Sequence, residues 1–134
     1  MQSYLLDTNI LSVVVRHSQS PISRRLQAQS HDTYKTNLIV AGELRFGAQK
    51  IGNPTFLARV ERALSLIEIL PLTPPTETHY AEIRATLERK GTPIGANDLW
   101  IAAHALALDM TLVTDNVDEF ARVDGLRIEN WLRA

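Results

Sequence analysis

The chain has 134 residues, 45% apolar and 22% charged, with 14 basic and 15 acidic side chains for a net charge of −1. That length suits one domain (1–134) with its own core and is too short for two, and the balance excludes disordered and collagen-like chains. Cysteine is absent, which removes disulfides and thiolate metal sites and makes a reducing cytoplasm the expected location. No basic region followed by an apolar run opens the sequence, and no apolar stretch approaches the ~20 residues that span a bilayer, so neither a signal peptide nor a membrane partner is expected.

Residues 3–6 read as a short apolar strand running into Asp7-Thr8-Asn9. A helix over 9–15 follows, with Thr8 placed to cap it. Ser20-Pro21 is a cap followed by a first-turn proline, starting a helix to about Ala28 with Ile22 and Leu26 inward. Arg16, Arg24 and Arg25 in this region read as a solvated face. A second strand is expected at 33–36, and then a helix from Asn37 to Lys50 whose buried face is Val40, Leu44, Gly47 or Ala48, and Ile51. Glu43 flanks that face, where an unpaired carboxylate suffers a large desolvation cost.

Asn53-Pro54 opens a further helix with Leu57, Val60, Leu64 and Ile67 at helical spacing. A strand at 69–72 contains Pro71, which suits an end or an edge position. Thr73-Pro74 should cap the next helix, with Tyr80, Ile83 and Leu87 inward, Arg89-Lys90 in its last turn and Gly91 as its stop. The stretch PIGANDLWIAAHALALDMTLVTDN at 93–116 then organises the chain. A Gly/Pro/Asn loop leads into a helix with Asp98 in its first turn, apolar almost all round to Leu108, as a buried helix is. A strand at 111–114 ends on Asp115-Asn116. A short helix at 117–123 and a last strand at 126–128 follow, and Trp131-Leu132 packs down the C-terminus. His104 reads as a hydrogen-bonded core residue, and Trp100 and Trp131 as packing residues.

Strands alternating with helices predict a three-layer α/β/α sandwich with a mainly parallel central sheet. The carboxyl ends of parallel strands lie on one edge, where ligands of open α/β sheets bind. Asp7 and Asp115 therefore become neighbours. The helix bearing Glu43 follows the second strand, and Asp98 starts the helix that leads to the fourth, so all four acids can reach one pocket.

Four clustered carboxylates repel one another, by roughly 4 kcal/mol for a single pair at 4 Å and an effective dielectric of 20. Protonation or a hard cation relieves them. With no cysteine, and with His17, His31, His79 and His104 lacking ligand spacing, the donor set is all oxygen and selects Mg²⁺ or Mn²⁺. Such a site suits metal-assisted hydrolysis of a phosphodiester. Thr8, Asn9, Thr114 and Asn116 would form the surrounding shell that orients the acids. With four of the 15 acids set aside, the 14 basic residues outnumber the remaining 11, which is compatible with a phosphate-rich ligand. Gly-x-Ser-x-Gly, Walker A and GxGxxG patterns are missing. The rival readings are a receiver-like or phosphatase-like phosphoryl-transfer domain and an inert module that keeps the fold without catalysis. Asn9 stands where a haloacid-type phosphatase would have a second Asp.

LLDTNILS at 5–12, GELRFGAQK at 42–50, GTPIGANDLWIAAHA at 91–105, LVTDNVDEF at 112–120 and GLRIENW at 125–131 together resemble the PIN-domain ribonucleases. Within that family they are similar to VapC-type toxins of toxin–antitoxin pairs. The resemblance implies a PIN-like fold and a Mg²⁺- or Mn²⁺-dependent endoribonuclease with Asp7, Glu43, Asp98 and Asp115 as the metal-binding, catalytic quartet. Family members often carry Asn in place of the last acid, so Asp118, about one turn on, is the alternative to Asp115. It also implies a homodimer and a small VapB-type antitoxin that occludes the groove and binds operator DNA. Relatives with this loop and this ending include toxins that cut transfer RNA, the initiator type among them.

Overall fold

The structure, a computed structural model, describes residues 2–28 and 33–132. His31, one of the four histidines read as non-ligating, lies outside the described residues. Strand β1 (Tyr4–Leu6) leads to helices α1 (Thr8–Arg16) and α2 (Pro21–Ala28). Strand β2 (Tyr34–Asn37) leads to α3 (Leu38–Ile51) and α4 (Pro54–Ser65), and β3 (Ile69–Leu70) leads to α5 (Thr76–Arg89) and α6 (Ala96–Leu108). Strand β4 (Thr111–Val113), helix α7 (Val117–Phe120) and strand β5 (Ile128–Glu129) complete the order. Among the described residues five strands form one sheet in the order β3-β2-β1-β4-β5, every pairing parallel.

The strand order moves outward from β1 to β3 through α1–α4, then jumps back to β4 through α5 and α6. Right-handed crossovers place those two helix groups on opposite faces of the sheet, which is the expected three-layer arrangement. Packing agrees, with α1 against α2, α3 and α4, and α5 against α6. The topological switch point falls between β1 and β4. Leu6 is in register with Val113 there, so the next residues out, Asp7 and Thr114, emerge side by side.

The core is built as the apolar pattern demands. Leu5, Leu6, Leu112 and Val113 are fully buried on the central strands, as are Ile101, Ala102, Ala103 and Ala105 on α6. Burying each large aliphatic side chain is worth about 1.5–3 kcal/mol. Trp131 packs edge-on to Tyr4 at 4.9 Å and lies beneath the Arg25 guanidinium at 3.9 Å. Trp100 stacks on Tyr80 at 3.9 Å, so both tryptophans do pack. Arg16 likewise covers the Phe56 ring at 5.2 Å.

Some expected boundaries move. Asp7, not Thr8, caps α1, its carboxylate accepting the Thr8 N–H at 2.8 Å. Helix α5 begins at Thr76, behind Pro75, with no side-chain cap from Thr73, because two successive prolines hold the preceding residues out of the helical region. Ile51 is exposed, since the buried stripe of α3 ends at Ala48 and the helix stops at Gly52, whose φ of 72° suits glycine. Strand β3 ends before Pro71 at the sheet edge. Helix α7 is one turn long, and β5 starts at Ile128, the partner of Leu112, while the Arg127 side chain binds Asp109.

His104 is a buried core residue, as its sequence context implied. Asn37 caps α3 by accepting the Val40 N–H at 2.9 Å, and its amide faces His104 Nδ1 at 3.0 Å. That contact makes Nδ1 the acceptor and places the proton on Nε2. Burial holds the His104 pKa below its ordinary value, against a smaller opposing pull from the Pro71 carbonyl, to which Nε2 closes no hydrogen bond of good geometry. The unfolded chain takes up a proton near pH 6.5 that the folded ring refuses, so this residue's share of stability is full above that range and lost as pH falls through it. His104→Gln keeps an acceptor for Asn37 and removes the titration. The stability difference between wild type and H104Q, measured by urea unfolding, is expected to shift in favour of the variant as pH falls from about 7.5 to about 5.5.

Candidate active site

Asp7 is the centre of the sheet edge. It is 4% exposed, and both of its carboxylate oxygens are held: one by the Thr8 N–H at 2.8 Å, the other by the Thr114 hydroxyl at 2.7 Å. The second bond joins the ends of β1 and β4 directly. Asn9 extends the same bridge, accepting the Asp115 N–H at 3.1 Å and donating to Thr114 at 3.5 Å. Thr114 in turn accepts the Asn116 N–H at 3.0 Å.

Glu43 reaches the edge from the second turn of α3. The Thr8 hydroxyl donates to one of its oxygens in a short hydrogen bond, and the Asn97 amide lies 3.4 Å from the other. Asp98 arrives from the first turn of α6. That helix starts at Gly95 with no side-chain cap, and Gly95 sits against the acids, so that a Cβ there would lie 3.8 Å from both Asp98 Oδ2 and Glu119 Oε1.

The fourth acid gathered here is Glu119, on α7. Its oxygens accept the Gly95 N–H at 2.8 Å and the Asn116 amide at 2.8 Å, and it shares a hydrogen bond with Asp98. Asp115, expected in this place, is directed elsewhere: its exposed side chain accepts the Asn130 amide at 2.8 Å. Asp118 is exposed on the outside of α7. The charges that act most on Asp7 are those of Glu43 and Glu119, and on Asp98 those of Glu119, Asp7 and Glu43. The reason is geometric. A strand-end residue after Thr114 points off the sheet edge, whereas an acid four positions on, in the next helical turn, is carried back over it. No local sequence signal singles out Glu119, since its contact with the Gly95 N–H spans 24 residues of sequence.

Electrostatics bind the four together. Burial raises the Asp7 pKa; the Thr114 and Thr8 bonds oppose that, and the charges of Glu43 and Glu119 add to it. Burial likewise lifts Asp98, and Glu119, Asp7 and Glu43 push in the same direction, to about 7. Burial also opposes charge on Glu119, but the Gly95 N–H, the Asn116 amide, Asp98 and Arg122 outweigh it and hold its pKa below the ordinary value. Asp98 therefore carries the proton and Glu119 the charge. Among the described residues no three acids or histidines already form a cage for an ion. The cluster is a concentration of partly neutralised carboxylates with oxygen as the only donor atom.

A narrow cleft of about 80 Å³ runs from this cluster past Thr8 and Glu43 to Ser12, Arg16, Phe56 and Val60. No described helix is long and apolar enough to cross a membrane.

Comparison with known proteins places this geometry. The PIN-domain family model matches residues 4–126. Ribonuclease VapC2 of Haemophilus influenzae is 38% identical over 133 residues, covering 98% of this chain and all of the relative. The tRNA(fMet)-specific endonuclease VapC of Salmonella typhimurium is 36% identical over 132 residues, covering 98% and 99%. Among solved structures, VapBC2 from Rickettsia felis bound to a promoter DNA fragment superposes with a TM-score of 0.88 at 34% identity, covering 97% of this chain and 99% of that one. The DNA-bound VapBC of Salmonella typhimurium gives 0.89 at 36% identity, covering 98% and 99%. With the family model matched over residues 4–126, relatives matched along nearly the whole length and the fold shared, the chain belongs to the PIN-domain family, among its VapC ribonucleases.

Proposed function

We propose that this protein is a cytoplasmic endoribonuclease toxin that hydrolyses RNA phosphodiesters with the help of Mg²⁺ or Mn²⁺ and is silenced by a VapB-type antitoxin. The observation that carries the reading is the acid cluster: Asp98 needs a proton to stand beside Glu119, Asp7 and Glu43. A divalent cation supplies the same relief without a proton. The donor set fits a hard ion, since every candidate atom is a carboxylate oxygen, and Mg²⁺ binds through one or two carboxylates while keeping several waters, so a closed protein cage is not required. Asp7, Glu43 and Asp98 would hold it, with Glu119 as the fourth acid in the place first assigned to Asp115. When bound, the ion would lower the pKa of an attacking water and offset charge on the phosphoryl oxygens.

The chain's own residues do the orienting. Thr114 and the Thr8 N–H fix the two oxygens of Asp7, leaving the carboxylate one rotamer. Thr8 and Asn97 fix Glu43, and Asn116 fixes Glu119. With the ion in place Asp98 would no longer need its proton and would join the other acids in holding it. The match to a tRNA(fMet)-specific relative along 98% of this chain favours transfer RNA as substrate. The VapBC neighbours favour an antitoxin partner and an assembly on operator DNA; the homodimer rests on the motif resemblance alone.

Asp7→Asn and Asp98→Asn are each expected to reduce RNA cleavage to the level of EDTA-treated wild type, with unchanged circular dichroism, and to abolish the growth arrest that induction of wild type causes. Cleavage retained in both variants refutes the site. Glu119→Gln should lower the cleavage rate by at least ~10-fold and Asp115→Asn by less than that, in parallel single-turnover assays; the reverse order would restore Asp115 to the quartet. In EDTA the folded Asp98 keeps its proton to about pH 7, whereas the unfolded carboxyl releases it near 3.8. Stability from this residue is therefore present at low pH and declines as pH rises through that window. D98N should melt above wild type at pH 8, with the gap closing as pH falls toward about 4.

A further inference from the structure

Helix α6 carries Asp98 in its first turn but lacks a side-chain cap, so its leading N–H groups have no local partner to stop fraying. Asp98 also faces Glu119, with which it shares a hydrogen bond, so the position of that turn relative to α7 decides whether the two acids stay paired. Two bonds from α7 and the turn after it hold the approach to α6 in place. Glu119 accepts the Gly95 N–H at 2.8 Å, and Arg122 donates to the Pro93 carbonyl at 3.0 Å. The loop offers one acceptor and one donor two residues apart. The segment opposite offers one donor and one acceptor three residues apart, which a single helical turn places on the same side. Arg122 is exposed, so its guanidinium is spent on a backbone carbonyl in water, where it adds little to global stability. Its effect is local. Lys90 and Asp124, 3.7 Å apart and both largely exposed, join the same segments farther out.

We propose that Arg122 is a positioning residue: its grip on Pro93 clasps the loop at 93–95 to the α7 segment and keeps Asp98 beside Glu119, where the two acids can serve one ion. It acts through the loop and through its charge on Glu119, not on the RNA. The inference rests on the metal-dependent reading above, and its test separates the two.

The experiment measures the melting temperature of wild type, Arg122→Gln, Arg122→Lys and Asp124→Asn against Mg²⁺ concentration without RNA, since an ion bound only by the folded state raises it. Arg122→Gln is expected to need about 10-fold more Mg²⁺ for the same rise, in line with other residues that orient metal ligands. Its melting temperature in EDTA should stay near wild type. Arg122→Lys, which still donates to the Pro93 carbonyl, should recover much of the response, and Asp124→Asn should follow wild type. RNA binding by the same proteins is measured against salt in EDTA, and its slope should be unchanged in Arg122→Gln. An Mg²⁺ titration of Arg122→Gln that superimposes on wild type overturns the clasp. So does a fall in melting temperature with an unaltered Mg²⁺ response, which marks a purely structural role. A salt slope reduced by about one with the Mg²⁺ response intact marks Arg122 as a phosphate contact and also overturns it. Wild type that does not respond to Mg²⁺ at all strikes the metal-dependent reading itself, and the clasp with it.

Discussion

The hydrogen bond from the Thr114 hydroxyl to Asp7 is the contact on which the site depends. It forms because β1 and β4 are parallel neighbours in a register that pairs Leu6 with Val113, so the first residue past each strand meets the other. Everything else at the edge is arranged around that pair. Thr8, the next residue of the chain, takes hold of Glu43, and Asn9 takes the backbone of Asp115. A stretch of three residues, Asp7-Thr8-Asn9, thereby touches β4, α3 and the turn after β4. A doubly crossed parallel sheet is needed for this, because only there do residues more than a hundred positions apart leave the same edge together.

The same edge is the least comfortable part of the molecule. Asp7 is buried, and Asp98 is driven to hold a proton near neutrality. Two features soften the conflict. Asp7 caps α1 and Asp98 lies in the first turn of α6, so both carboxylates sit at helix N-termini, where the backbone dipoles favour negative charge by ~0.3–1 kcal/mol each. Asp98 and Glu119 then share one proton in place of bearing two full charges. Neither feature removes the repulsion among four acids. The remainder is borne by the packed strands behind them, where Leu5, Leu6, Leu112 and Val113 admit no water.

Legibility in the sequence followed the range of the interactions involved. The alternation of strands and helices, the parallel sheet and the buried character of α6 all come from apolar periodicity within about fifteen residues, and they stand as read. Asp7, Glu43 and Asp98 could be found because each lies at a local landmark: a strand end, the flank of an amphipathic face, the first turn of a buried helix. Glu119 has no such landmark. Its place is set by a bond to Gly95, twenty-four residues away, and by the direction in which one short turn of helix sends it back over the sheet. Asp115 sits at the more conspicuous position, directly after an apolar strand, but its side chain accepts the Asn130 amide, whereas Glu119 is the acid bonded to Gly95 and Asn116. The misplaced start of α5 has the same origin, since a Thr-Pro pair signals a helix start but a second proline postpones it.

The rival chemistries fail on the environment of Asp7. A phospho-acceptor aspartate must present a free carboxylate oxygen to an incoming phosphoryl group and have a cation at hand for the charge that then accumulates. Asp7 is 4% exposed and each of its oxygens accepts one hydrogen bond, from the Thr8 N–H and the Thr114 hydroxyl. It therefore keeps lone pairs for an ion but presents no open face to a phosphoryl group. The charged groups that act on it are the carboxylates of Glu43 and Glu119. Lys90, on the loop side, is turned to Asp124, and Arg122 to Pro93. An inert binding module is also a poor fit. A single Asn in place of Asp98 would spare such a protein its largest electrostatic strain at no cost to the core, whereas a hydrolase that assembles a cation-binding edge has a use for that strain. Asp7 and Asp98, the two carboxyls at this edge whose pKa is raised, gain when a positive charge arrives, and that is the physical sense in which the edge suits the ion proposed above.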